Sequence, residues 1–366
     1  FLLTLFFCFL FGLIGNKTWI YLVLLSIPFP IAMVSVIFPG YNFLLLFFLL
    51  LLIYCEKKKK SDYLIGILLG LSFLTKQTVG GLFVLVSIYY LFVDYKKVIK
   101  RAIGFFIPVL VTFFILLCQG SFLSFLDLCF FGLFDFGHQN LSIDWFYLVV
   151  FLIAFLVLII RIIRKPRDIS NYYVLLFSSC VYPIIDYYHV SLFLAGFFIL
   201  LLMDGDIRRK ISHHVIFFVL SLSIIWFVIQ NIYYDDLEII HYPNFEFSLI
   251  SRSYHDVVER LDSYLESLDD DIIYFLRGSE NYFFKIKNNL DITYFDLPNY
   301  GNYGYGGTQK IIKRLENIHH GYVVVDVDAY QSKDSLQQYI KEAVSYIKER
   351  GKLVKEIGFY QVYRFE

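Results

Sequence analysis

From residue 1 to residue 234 the chain is a series of apolar runs parted by short turns, and its lysines and arginines collect on every second turn. That alternation constrains the fold more than anything else in the sequence. One set of turns holds Lys17, Lys57 to Lys60, Lys96, Lys97, Lys100, Arg101, Arg161, Arg164, Lys165, Arg167, Arg208, Arg209 and Lys210. The opposite set holds Lys76 alone, so 16 basic residues face 1. Segments that cross a bilayer keep their positive flanks in the cytoplasm, and the first set is read as cytoplasmic. The apolar set makes up 58% of the 366 residues, and mean hydropathy is +0.63. A water-soluble chain of this length carries far less apolar surface.

Hydropathy places about ten spans, at 1–14, 18–38, 41–55, 63–76, 79–93, 102–118, 145–163, 172–186, 189–203 and 214–233. Residues 235–366 differ in kind. They carry 15 Lys/Arg against 22 Asp/Glu, and their apolar residues fall at strand and helix periods. Helical spacing covers 253–268, 308–318 and 332–350, with Thr308 as an N-cap and Gly351 as a stop. Strand-like runs cover 272–276, 292–297 and 322–327, and a hairpin turns at Gly358-Phe359. The fold class is therefore a polytopic α-helical membrane bundle, residues 1–234, followed by a small extracytoplasmic α/β domain, residues 235–366. No basic patch of the nucleic-acid type is present. The five cysteines form no metal-ligand spacing. The chain opens with Phe1 inside an apolar run, and it is expected to continue a longer protein at that end.

Within the bundle the segment 62–93 stands out. A basic cluster at 57–60 leads into an apolar helix that meets Lys76, and a second apolar run returns to Lys96 and Lys97. Two basic flanks on one side demand a hairpin, and Lys76 sits at its tip. At about 1.5 Å per residue Lys76 lies roughly 20 Å from the starting interface, short of a core about 30 Å thick. An ionisable group there marks a functional site unless it snorkels to headgroups. Two further outward features follow. The segment 119–144 is aromatic and lacks Lys and Arg; its polar points are Asp127, Asp135, His138, Asn140 and Asp144. It suits the outer interface, either as an anchor or as a binding loop. The turn Tyr182-Pro-Ile-Ile-Asp186-Tyr-Tyr-His189 puts an Asp and a His three residues apart. A carboxylate there can fix a ring tautomer or bind a sugar hydroxyl. In the tail, 298–308 is glycine- and tyrosine-rich; Tyr300, Tyr303 and Tyr305 either contact a carbohydrate or belong to a plain loop.

The run Gly66-x-x-x-Gly70-Leu71-x-x-Leu74-Thr75-Lys76-Gln77 resembles the helix pair of membrane glycosyltransferases of the GT-C fold. The nearest likeness is to the bacterial protein O-mannosyltransferase and aminoarabinose transferase group. The Tyr182-Pro183…Asp186…His189 pattern resembles a later outward turn in the same group. The likeness covers most of 1–233 as architecture, on short motifs. It implies inverting transfer of a sugar from a polyprenyl-phosphate donor to an envelope glycan, lipid or protein acceptor, at the outer face of the cell membrane. It also implies a divalent cation as cofactor. On this reading Lys76 and Gln77 bind the donor phosphate, and Asp186, His189, His138 and Asp135 bind substrate. The catalytic carboxylate of that family belongs to a loop upstream of Phe1, so no catalytic base is assigned and the chain alone is expected to be inactive. Two other classes fit a membrane bundle with a tail. A lipid-linked sugar flippase needs charged or broken helices near the midplane and often an internal repeat. A non-catalytic scaffold that displays the tail needs neither.

Overall fold

The computed structural model describes residues 41–139, 141–202, 237–238, 241–242, 245–246, 250–275, 284, 303–327 and 338–366. The spans expected at 1–14, 18–38 and 214–233 and the strand expected at 292–297 lie outside them. The chain divides into two compact units. The first joins Phe1–Phe122 to Ser142–Gln230, and the second joins Leu123–Leu141 to Asn231–Glu366.

The first unit is helical. Its described elements are α1 Tyr41–Lys57, α2 Asp62–Thr75, α3 Gln77–Leu82 continued by a 3₁₀ segment Phe83–Leu91, α4 Tyr95–Cys118, α5 Trp145–Arg164, α6 Ile169–Phe177 and α7 Tyr187–Leu202. Two of them are long and apolar enough to cross a membrane, α4 with 24 residues and α5 with 20. Of the about ten spans expected, these two are shown among the described residues. Among the described residues the other apolar helices are shorter, because the chain breaks them with turns and 3₁₀ segments. The return run at 79–93 is one such case. It is six residues of α-helix and then nine of 3₁₀. The span expected at 172–186 ends in a 3₁₀ turn, Ser178–Val181, followed by the two-residue strand Ile184–Ile185. The span expected to begin at 102 starts at Tyr95, so Lys96, Lys97, Lys100 and Arg101 lie on α4 itself.

Close packing of α2 against α4 comes from glycine. A Cβ on Gly66 would lie 2.2 Å from the Arg101 carbonyl oxygen, and one on Gly104 would lie 2.3 Å from that of Tyr63. Small residues let two backbones approach in this way. The core around α1, α2, α6 and α7 buries Leu45, Leu49, Ile53, Leu69, Phe83, Tyr173, Phe177 and Phe193. The outer faces of α4 and α5 stay apolar and uncovered: Phe106, Leu110 and Phe114 on one, Phe146, Ile153 and Leu156 on the other. Patches of this size mark a surface that meets lipid or protein.

One end of this unit is locked by a buried ion pair. Arg101 on α4 grips Glu56 on α1 with two nitrogens, at 2.7 and 3.0 Å, and its Nε donates to Asp62 at 2.9 Å. The hydroxyls of Tyr90 and Tyr173 donate to the same Glu56 carboxylate, each at 3.1 Å. The Arg101 side chain is 3% exposed and that of Glu56 7%. Arg101, expected as a flanking interfacial charge, is thus an internal brace.

The second unit holds a four-stranded sheet. Its strands are β1 Ile272–Phe275, β2 Gly321–Asp326, β3 Lys352–Ile357 and β4 Tyr360–Phe365, in the order β1-β2-β4-β3. β1 runs parallel to β2 with Ile273 opposite Val323. β4 is antiparallel to β2 and β3, with Val362 opposite Val324. The β3–β4 turn is Gly358-Phe359, and Gly358 takes φ +60°, a conformation that favours glycine. Successive residues of a strand face opposite sides. Val323 and Val325 therefore join Ile311, Leu315, Val344 and Ile347 from the helices α9 Gly307–Glu316 and α10 Gln338–Arg350. Val324 joins Val258, Leu261 and Leu265 from the preceding helix α8 Arg252–Leu265. The start of α9 departs from expectation. Its N-cap is Gly306, at φ +67° with no side-chain cap, rather than Thr308.

Candidate functional site

Lys76 is the one-residue break between α2 and α3, extended at φ −151°, ψ 101°. Its backbone serves both helices. The Lys76 N–H donates to Ser72 O at 3.1 Å, and the Gly80 N–H donates to Lys76 O at 2.8 Å. The hairpin closes because Gly80 has no side chain: a Cβ there would lie 2.0 Å from the Ser72 carbonyl oxygen. Ser72 and Thr75 return their hydroxyls to Leu68 O and Leu71 O, as polar residues in apolar helices do. Gln77 is the first residue of α3 and is half-buried.

The Lys76 ammonium donates to Asn42 Oδ1 at 3.1 Å and lies 5.4 Å from the centre of the Tyr41 ring. An ammonium only donates, so the orientation of the Asn42 amide is settled by its neighbour. Asn42 Nδ2 then donates to the Tyr188 hydroxyl at 3.0 Å. Asn42 is 3% exposed, and a buried amide with both ends bonded is rigid. Among the described residues Lys76 forms no ion pair with a carboxylate.

Tyr188 lies on the first turn of α7, next to the predicted His189. Asp186 is the N-cap of that helix: its Oδ1 accepts from the His189 N–H at 2.9 Å. The same oxygen takes the His189 ring Nδ1 at 2.7 Å. The turn at 182–189 is tied down on its other side. Ser142–Ile143 pairs in parallel with Ile184–Ile185, and Asp144 caps α5 by accepting from Phe146 N and Tyr147 N. The Tyr182–Pro183 peptide is cis. Cys180, fully buried, directs its thiol to the His189 carbonyl.

The structure thus gathers Lys76, Gln77, Asp186 and His189 in the first unit, with Asn42 and Tyr188 between the two predicted turns. Neither linker was singled out from the sequence. A signal for Asn42 exists, since it is the lone amide in the apolar run 42–53 and such residues are costly without a purpose. Tyr188 carries no such signal among 30 tyrosines.

Asp135 and His138 belong to the second unit. Asp135 Oδ2 accepts from the Gly306 N–H at 2.7 Å. Asp127, eight residues earlier, accepts from the Tyr305 N–H at 2.9 Å and from the Lys310 ammonium. Burial pushes the Asp127 carboxyl up, but Lys310 and the Tyr305 N–H outweigh it and hold it below its ordinary value. Both carboxylates therefore serve the 303–307 loop. Of the loop tyrosines, Tyr303 packs in the core at 3% exposure and Tyr305 is exposed; Tyr300 lies outside the described residues, as does the His138 side chain. Among the described residues no three His, Cys, Asp or Glu side chains cluster as a cation site would need. No family model, curated protein or solved structure matches the chain.

Proposed function

We propose that the helical unit is the membrane part of an inverting glycosyltransferase that binds a polyprenyl-phosphate-linked sugar at the outer face, around Lys76, for transfer to an envelope acceptor. The observation that carries this reading is the neutral tether of Lys76. An amide oxygen orients the ammonium without cancelling its charge, so the charge remains for an anion. Phosphate is the anion that a lipid brings to such a depth. As the sugar bond to phosphate breaks, negative charge grows on the leaving oxygen, and a fixed cation stabilises it. The uncovered apolar faces of α4 and α5 support a lipid surround, and a bundle of about ten spans is part of the same proposal. No step is assigned to a metal ion.

The test is binding by the full chain in lipid nanodiscs, with bare polyprenyl phosphate as the probe. Lys76→Ala is expected to weaken binding at least tenfold, and Lys76→Arg to retain most of it. Equal binding by the wild type and the Ala variant would remove the basis of the proposal. Movement of the lipid between leaflets would favour a carrier instead.

A further inference from the structure

We infer that Tyr188 and His189 act as a donor–acceptor pair that reads a hydroxyl of the sugar carried on that lipid phosphate; this rests on the phosphate site proposed at Lys76. The argument is a proton count. Lys76 can only donate, so it takes Asn42 Oδ1, which leaves Asn42 Nδ2 to donate into the Tyr188 oxygen. Tyr188 has one proton of its own. Among the described residues no acceptor takes it, so that proton is available to a ligand. The neighbouring ring is set the opposite way. Asp186 Oδ1 lies 2.7 Å from His189 Nδ1. A carboxylate only accepts, so Nδ1 carries the hydrogen, and in the neutral ring Nε2 is the atom with the lone pair.

The two rings meet edge to face, with centroids 5.1 Å apart, on the first turn of α7. The first turn of α7 therefore carries both a donor and an acceptor, on rings in contact. A phosphate oxygen satisfies the donor and leaves the acceptor empty, whereas a hydroxyl satisfies both. The Asp186 cap makes this rigid, because the same carboxylate oxygen fixes the helix start and the imidazole tautomer. Asn42 and Asp186 are positioning residues, and Tyr188 and His189 make the contact. The contacts then run in order: cation, relay amide, donor, and the ring that carries the acceptor. That order suits a phosphate with a hydroxylated ring attached better than a bare lipid phosphate.

The experiment compares two probes on the full chain in nanodiscs: bare polyprenyl phosphate and the same lipid carrying one hexose. The wild type is expected to prefer the hexose-bearing lipid. His189→Phe should lower that preference, read as the ratio of the two affinities in the same variant, about three- to tenfold, the worth of one or two neutral hydrogen bonds. Tyr188→Phe should act in the same direction. His189→Gln places an acceptor near the position of Nε2 and should restore part of the preference. On the unaltered protein, hexose lipids lacking one hydroxyl at a time should include one that loses the preference. Equal weakening of both lipids by the two ring variants would overturn the pair and leave it a structural support. Indifference of all hydroxyl-deleted lipids would overturn it as well. Binding of both lipids unchanged by Lys76→Ala would strike the underlying phosphate site instead.

Discussion

The Lys76 ammonium and the Asn42 amide oxygen, 34 positions apart in sequence, lie 3.1 Å apart. The charge is held by a neutral group, and the same amide passes a hydrogen bond on to Tyr188. Replacing Asn42 by Asp would set a carboxylate against the ammonium. The pair would neutralise itself, and affinity for a lipid phosphate is expected to fall about tenfold with folding preserved. Asn42→Leu should instead cost about 1–3 kcal/mol in detergent unfolding, because Lys76 and Tyr188 lose a buried partner. A titration of both variants beside a thermal melt separates the two effects.

The brace of Glu56 and Arg101 makes a second prediction. Both side chains are buried and the grip is two-pronged. Glu56→Gln removes the charge behind the two-pronged grip and leaves the guanidinium only its Asp62 contact, so it should destabilise the helical unit by up to about 3–5 kcal/mol. Substituting both residues by apolar ones of similar volume should cost less than either single change. A double-mutant cycle on melting in detergent reads this directly, and additive losses would contradict it.

The attachment of the 303–307 loop to Asp127 should depend on pH. The Asp127 carboxyl titrates below its ordinary 3.8 in the folded state. A lowered folded value means the attachment is complete above about pH 3.8 and is lost as pH falls through the lowered value. Hydrogen exchange at the Tyr305 amide should accelerate in that acid window. Asp127→Asn should show part of the acceleration at neutral pH. The pair is partly exposed, so its worth is about 0.2–1 kcal/mol, and the global melt should barely move.

Two adjacent glycines should behave differently. A Cβ on Gly80 would sit 2.0 Å from the Ser72 carbonyl oxygen, while one on Gly81 meets nothing nearer than Phe73 Cδ2 at 3.4 Å. Gly80→Ala should open the hairpin at Lys76 and cost about 1–3 kcal/mol or more. Gly81→Ala should be near neutral in stability. Paired melting curves decide it, and equal effects would show that the hairpin relaxes.

Much of the local structure was readable. The break at Lys76 follows from a charge between two apolar runs, and the turn at Gly358-Phe359 from alternating residues around a glycine. The start of α9 was misread because a left-handed glycine, Gly306, opens the helix ahead of Thr308. The return run at 79–93 looked like a full helix because periodicity does not separate α from 3₁₀ when every face is apolar.

The order of the residues determined which segments are apolar, where the positive charge gathers and which turns carry ionisable groups, since each depends on near neighbours alone. Only the tertiary structure decided what those groups touch. Asn42 meets Tyr188 across 146 positions, and Asp135 meets Gly306 across 171. Contacts at such separation leave no periodic trace. The first of them forms in a unit whose backbone is fixed by helices with glycine faces and by a buried ion pair.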